Sequence, residues 1–164
     1  MNSIRETALD KLVCLFQGQQ KGQPESDPYD FTWKTVVRTP LTELERRMSY
    51  ALAIVENDEN KERGVNVMYP VLNLTLEFHA LIDVPSDGPV VLNRILKNIQ
   101  RRIGSDPRLA NQNGGTALVI SLYENGNMID PESYADKKVS GLLYLEVRYK
   151  HAVHDPRAVV PGTI

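Results

Sequence analysis

The longest alternation of apolar and polar residues in the chain lies between Val71 and Asp83. Apolar side chains occupy the even positions and mostly polar ones the odd positions, with Leu81 as the exception. This period of two predicts a β-strand with one buried and one solvent-facing side. Its thirteen residues would extend about 40 Å, well beyond a common strand of about five or six residues. A second alternation over Val139–Tyr149 predicts another long strand of the same kind.

Two amphipathic helices are predicted from apolar residues that recur at three- and four-residue steps. The first occupies residues 1–17 and the second residues 89–103. Asp87 or Ser86 would cap the second helix, and Gly104 would end it. The outer side of the second helix and the loop after it carry a basic set: Arg94, Lys97, Arg101, Arg102 and Arg108.

Turn residues and shorter patterns divide the rest of the chain. The predicted elements are, in chain order, a solvated loop at 17–30, a short strand at Phe31–Arg38, a helix of one or two turns at Glu43–Tyr50, a buried strand at Ala51–Val55, a mixed-charge loop at 56–64, a strand at Thr116–Glu124, a turn-rich connection at 124–138 and an extended C-terminal arm at 153–164. The short helix is indicated by Thr42 and Glu45, which have the spacing of a capping box.

The order of these elements predicts a single α+β domain that spans residues 1–164. We expect two layers: a mostly antiparallel or mixed sheet of four to five strands, and two main helices packed on one face of it. The opposite face is left without a covering layer. Its predicted residues are polar but rich in carbon, which suits contact with another subunit: Thr75, Glu77, His79, Tyr144, Glu146 and Arg148.

Composition narrows the function classes. A chain of 164 residues with 41% hydrophobic and 24% charged residues matches one ordinary globular domain. Nineteen Lys and Arg against 21 Asp and Glu give a formal charge of -2, which argues against a tight binder of duplex DNA or of a membrane surface. The charged N-terminal residues and the lack of a long apolar run predict neither a signal peptide nor a membrane span. We expect a protein made in the cytoplasm, with its lone Cys14 in the core.

Candidate catalytic groups do not converge in the sequence. His151 and His154 are spaced as H-x-x-H, but on a strand end their rings would point to different sides, so a zinc site is not expected. The Gly-rich stretch 113–116 precedes a strand rather than a helix, so it lacks the helix N-terminus that binds phosphate. We therefore expect no catalytic, metal or cofactor site. An enzyme would need a cleft that joins His79 to a carboxylate.

Four segments of the chain together resemble the tail terminator, or tail-completion, proteins of long-tailed bacteriophages. The segments are VLNLTLEFHALID, PVVLNRILKNIQRRIGSDPRL, TALVISLYENGNMIDPES and GLLYLEVRYKHAVHDPRAV. In that family a long strand precedes an amphipathic helix, a loop of "DP.L" type follows, and a closing strand ends in a basic pattern, here Arg148, Tyr149 and Lys150. The first half also fits, with an N-terminal helix and an apolar strand that ends in acidic residues.

The resemblance implies a structural virion protein without enzymatic activity or cofactor. It would form a homo-hexameric ring at the neck end of the tail, cap the tail tube, stop its polymerisation and provide the surface that joins the head-tail connector. Its partners would be other copies of itself, the tail tube protein and the neck protein. DNA would pass through the ring without specific binding. The alternative is another oligomeric adaptor of the neck or tail.

The residues expected to contact a neighbouring subunit or the tube belong to three surfaces. They are Glu77, His79, Glu146, Arg148 and Lys150 on the open sheet face, Arg94, Arg101 and Arg102 on the basic helix, and His154 in the arm. The acidic stretch 56–60 is a candidate partner for the basic helix of an adjacent copy, which would be a head-to-tail contact. Each residue also has a simpler explanation as ordinary solvated surface.

Overall fold

The strand predicted around Val71–Asp83 is the centre of the sheet. In the computed structural model, the described part of the chain, residues 2–158 and 160, forms two α-helices and one six-stranded mixed sheet. The elements are α1 (Ile4–Gln17), β1 (Thr35–Val37), β2 (Ala51–Arg63), β3 (Val67–Leu81), α2 (Gly88–Ser105), β4 (Ser121–Asp130), β5 (Lys138–Arg148) and β6 (His151–Ala152). Short 3-10 turns lie at Glu45–Arg47, Pro85–Asp87, Asn111–Asn113 and Pro131–Asp136.

The sheet has the strand order β1-β2-β3-β5-β4, and β6 pairs with the first residues of β3. All neighbours are antiparallel except β1 and β2, which are parallel. Both helices pack on one face, so the predicted two-layer α+β class is confirmed. In the predicted arm, residues 153–158 form a turn in which Ala152 N–H donates to the Ala158 carbonyl. Val159 and residues 161–164 of that arm lie outside the described residues.

The core lies between the helices and the even-numbered side of β3. Leu72, Leu74, Leu76 and Phe78 are fully or almost fully buried there against apolar residues of α1, α2 and β5. The Ser3 hydroxyl caps α1 by accepting a hydrogen bond from the Glu6 N–H. Among the described residues no helix combines the length and the apolar character that crossing a membrane would require.

Residues 56–63 of the mixed-charge stretch 56–64 form a strand, so the prediction of a loop there is wrong. Residues 56–63 continue β2 and pair with β3 back to Met68, which makes a long hairpin. Asn57 is bulged out of the register, and beyond it both strand faces carry charged or amide side chains. The alternation that identifies a strand requires one apolar face. The part of β2 beyond Asn57 has no apolar face, so its sequence has the composition of a loop.

The bounds of three other predicted elements and the burial of one residue also differ in the structure. The strand predicted at Thr116–Glu124 begins later, at Ser121, and continues to Asp130 as β4. Its second part was missed because a bulge at Asn125 and Gly126 interrupts the alternation. The helix predicted at Glu43–Tyr50 is only a 3-10 turn, although its capping box forms. The second helix continues past Gly104 to Ser105. Cys14 is exposed on α1, so its predicted place in the core is wrong.

Candidate subunit interface

The sheet face opposite α1 and α2, here called the open face, is only partly covered. Side chains from the odd positions of β3 and the even positions of β5 point to it. Towards β4 none of the helices in the described residues lies over this face, and Tyr123 and Met128 remain 56% and 55% exposed. Leu142 and Tyr144 lie beside them and are half-buried. Apolar side chains exposed together on a sheet face are typical of a contact surface.

Residues 38–48, here called the cover segment, shield the part of the open face near β1 and β2. Leu41 packs on Ala51 and Ala53 of β2. Glu77 fastens the segment, because its carboxylate accepts a hydrogen bond from the Leu41 N–H at 3.2 Å and pairs with Arg46 at 2.7 Å. Glu77 therefore holds a segment of its own chain, which its sequence position did not reveal.

His79 lies beneath the cover segment and is 2% exposed, so it is not the surface residue that its predicted contact with a subunit or the tube, or its alternative as solvated surface, requires. Its Nδ1 lies 2.9 Å from the Ser140 hydroxyl, and its Nε2 makes no hydrogen bond to any residue that the structure describes. Burial lowers the pKa of His79, the main chain of Arg46 opposes this shift, and the positive charges of Lys138 and Arg46 add to it. Burial therefore favours the neutral form of the ring.

The burial of His79 makes stability depend on pH. Its folded-state pKa is below the unfolded value, so the unfolded chain takes up the proton first as the pH falls. The free energy of unfolding should therefore decrease from about pH 7 towards about pH 5, by at most about 1.4 kcal/mol per pH unit. Urea denaturation of wild type and His79→Gln over this range checks the prediction. A wild-type slope equal to that of the variant would contradict it.

Glu146 and Arg148 do lie on the open face, as the sequence predicts. They form an ion pair along β5 at 3.0 Å, and the Arg148 guanidinium is 6.0 Å from the ring of Tyr123. Lys150 is buried where β5 passes to β6, and His154 is exposed in the turn after β6. Of the five residues predicted on this face, Arg148 and its partner Glu146 lie on the Tyr123 side of the exposed apolar part, and Glu77 borders it at Met128 and Leu142.

The basic side of α2 mainly holds the chain together. Arg101 donates to the carbonyls of Asp27 and Pro28, and its guanidinium lies 4.5 Å from the ring centre of Tyr29. Arg102 donates to the Leu15 carbonyl and so joins α2 to α1. Both predicted interface residues thus have contacts within the chain.

Two further cations of α2 differ in their surroundings. Lys97 pairs with Asp30 at 2.8 Å, and this bond, with a second from Asn98, lowers the pKa of Asp30. Arg94 is exposed beside Asp83 and Asp87, and its side chain forms no ion pair with any residue that the structure describes.

The acidic stretch 56–60, expected to meet the basic helix of another copy, is also engaged within the chain. Glu56 pairs with Arg5 and Arg38, and Glu59 pairs with Arg5. Glu59 also accepts a hydrogen bond from the Tyr149 hydroxyl at 2.6 Å, and burial raises the pKa of Tyr149. These bonds attach the hairpin to α1, and among the described residues they leave Asp58, which accepts a hydrogen bond from Asn73, as the acidic residue of the stretch without an ion pair.

A groove on the open face was missed by sequence reasoning. It has a volume of about 350 Å³ and runs between the end of β4 and the start of β5, with Met128 and Leu142 as its apolar lining and Glu77 and Asp130 at its polar edge. The residues 124–130 had the composition of a turn, so Met128 was not assigned to a sheet face. The alternating pair Met128 and Asp130, next to the Ser140–Tyr144 alternation, was the available signal.

Comparison with known proteins does not assign the chain to a family. No protein-family model matches the chain, and a search of curated proteins finds no match. The class of protein therefore has to be argued from the sequence resemblance and from the surfaces described above.

Proposed function

We propose that this protein is a tail terminator of a long-tailed bacteriophage, a ring-forming structural protein that caps the tail tube. Two observations support this proposal. The long strand, the amphipathic helix and the closing strand follow one another in the expected order, and both helices pack on the same face of the sheet. The observation that carries the proposal is the uncovered part of the open face. Tyr123, Met128 and Leu142 form an apolar surface there that nothing in the described chain covers.

The mechanism would be steric and would use interfaces instead of a catalytic site. One surface of the ring would copy the contacts that a tube subunit makes with the end of the tube. The opposite surface would lack the contacts that recruit another subunit, so growth would stop. The formal charge of -2 suits a ring through which DNA passes, because few phosphates would be neutralised.

The test is the length of tubes grown in the presence of the protein. Purified tail tube protein is polymerised with increasing amounts of this protein, and tube lengths are measured by electron microscopy. We expect growth to stop at amounts well below one copy per tube subunit, and the protein to be hexameric at tube ends. Tubes of unchanged length at every ratio would contradict the proposal.

A pair of variants connects that result to the open face. Leu142→Asp places a charge on the apolar part of the open face, and Val90→Asp places one at the exposed start of α2. We expect the first to lose tube arrest and the second to keep it. A protein that leaves tubes unaffected but binds the connector would instead be a neck adaptor.

A further inference from the structure

The tip of the β2–β3 hairpin, residues 61–69, presents an apolar side chain beside a positive charge. Val65 is 89% exposed. Arg63 pairs with Met68 through the backbone, but its guanidinium forms no hydrogen bond or ion pair with any residue in the described ranges. The tip has a defined shape, because Gly64 N–H donates to the Val67 carbonyl at 2.7 Å and Val153 N–H donates to the Asn66 carbonyl at 3.2 Å. A single exposed valine is common on a protein surface, but here it stands on a braced tip beside the guanidinium of Arg63, so the tip offers an apolar group and a positive charge together.

The groove on the open face has the complementary character. Met128 and Leu142 supply an apolar lining, and the carboxylate of Asp130 has no partner among residues 2–158 and 160. Glu77 stands at the same edge with its charge compensated by Arg46. The groove therefore offers an apolar space next to one uncompensated negative charge.

The hairpin tip and the groove lie at opposite ends of the sheet. Val67 begins β3 beside the tip, and Glu77 at the groove is ten residues further along the same strand. At about 3.3 Å per residue this separation is about 33 Å. The tip of a chain therefore cannot reach its own groove, and the two surfaces can meet only between copies.

We propose that the hairpin tip of one copy docks in the groove of another, with Val65 against Met128 and Leu142 and with Arg63 paired to Asp130. This inference rests on the proposed self-assembly and names the surfaces that carry it. Because the two surfaces differ, a single contact leaves a free groove on one copy and a free tip on the other. Repetition of the contact closes a ring when the rotation between copies allows it.

A charge exchange tests the pairing. Arg63→Asp and Asp130→Arg each leave two like charges facing one another, so each should weaken assembly by about tenfold or more. The double variant restores opposite charges and should recover most of the wild-type affinity. Sedimentation velocity over a concentration series, with and without tube ends, measures the effect. Arg108→Asp is the matched control, since Arg108 is also an exposed arginine, and it should assemble as wild type does.

Cross-linking gives a second measurement that does not depend on affinity. In a Cys14→Ser background, Val65→Cys combined with Met128→Cys should form disulfide-linked oligomers under mild oxidation, and neither single variant should form a ladder of them. Unchanged circular dichroism and melting temperature establish that the variants are folded, as expected for exposed positions.

Each outcome has a separate meaning for the contact and for the proposed function. If the charge variants form hexamers with wild-type affinity and the double-cysteine variant yields no cross-link, the tip-groove contact is overturned. The terminator proposal then remains in place. If the protein forms only dimers, and the single charge variants weaken these dimers while the double variant restores them, the contact is supported. Each copy would then place its tip in the groove of the other, which contradicts the ring. A wild-type protein that stays monomeric with and without tube ends would overturn both.

Discussion

Replacing Phe78 by alanine should lower the free energy of unfolding by about 3–5 kcal/mol. The ring is 0% exposed and lies on the core side of β3, the central strand. Its removal loses the transfer free energy of the ring and leaves a cavity that two helices and a sheet cannot fully close. Urea denaturation of the wild type and of Phe78→Ala, followed by circular dichroism, measures the difference.

Two further variants distinguish core burial from a general sensitivity of the sheet. Phe78→Leu keeps much of the apolar volume and should lose much less stability than the alanine variant. Tyr123→Ala, on the exposed part of the open face, should change the free energy of unfolding by about 0.5 kcal/mol or less. Equal losses for Phe78→Ala and Tyr123→Ala would mean that the two sheet faces do not differ as described.

The elements that the sequence predicted well are those with one apolar side. β3 and β5 alternate with a period of two, and α1 and α2 have apolar positions at helical steps. For each pattern one type of secondary structure places the apolar side chains together on one side, where they can be buried. The side of β3 that carries Leu72 to Phe78 was therefore predictable as the core. The packing of both helices on that side follows, because the sheet offers only one apolar face for them.

The elements that were missed depend on contacts between distant residues. The outer half of β2 is polar on both faces, and it is a strand because β3 extends beside it as far as Met68. Its acidic side chains are held by Arg5 and Arg38, which belong to other parts of the chain. No local pattern contains those partners. The sequence pattern therefore predicted a loop where the outer half of β2 forms a strand.

The candidate interface residues were partly misplaced for the same reason. The polar face of β3 predicted solvent at His79, but the cover segment lies over it and Ser140 bonds to it. Arg101 and Arg102 had the spacing of a solvated helix face, but the loop at 27–29 and the end of α1 reach them. A period shows which side of an element is polar, and it does not show which polar segments will fold over that side.

Gly141→Ala should destabilise the protein by about 1–3 kcal/mol, although alanine is usually better than glycine within a strand. A Cβ atom at Gly141 would lie 2.6 Å from Cζ of Phe78 and 2.9 Å from the Met128 carbonyl oxygen. The first neighbour is a fully buried ring, and the second is the backbone of the adjacent strand β4. Neither can move without disturbing the core or the β4–β5 pairing. The loss of space therefore outweighs the gain of about 0.4–1 kcal/mol from reduced freedom in the unfolded chain.

The contact with Phe78 can be separated from the contact with β4 by a double-mutant cycle. Phe78→Leu removes the ring atoms nearest to the added methyl group, so Gly141→Ala should cost less in that background than in the wild type, by about 0.5 kcal/mol or more. The four proteins are compared by urea denaturation under the same conditions. Additive losses would place the whole penalty at the Met128 carbonyl. In that case the alanine variant would also shift β4, and with it Met128 and the groove, so its effect on assembly would exceed that of Phe78→Leu.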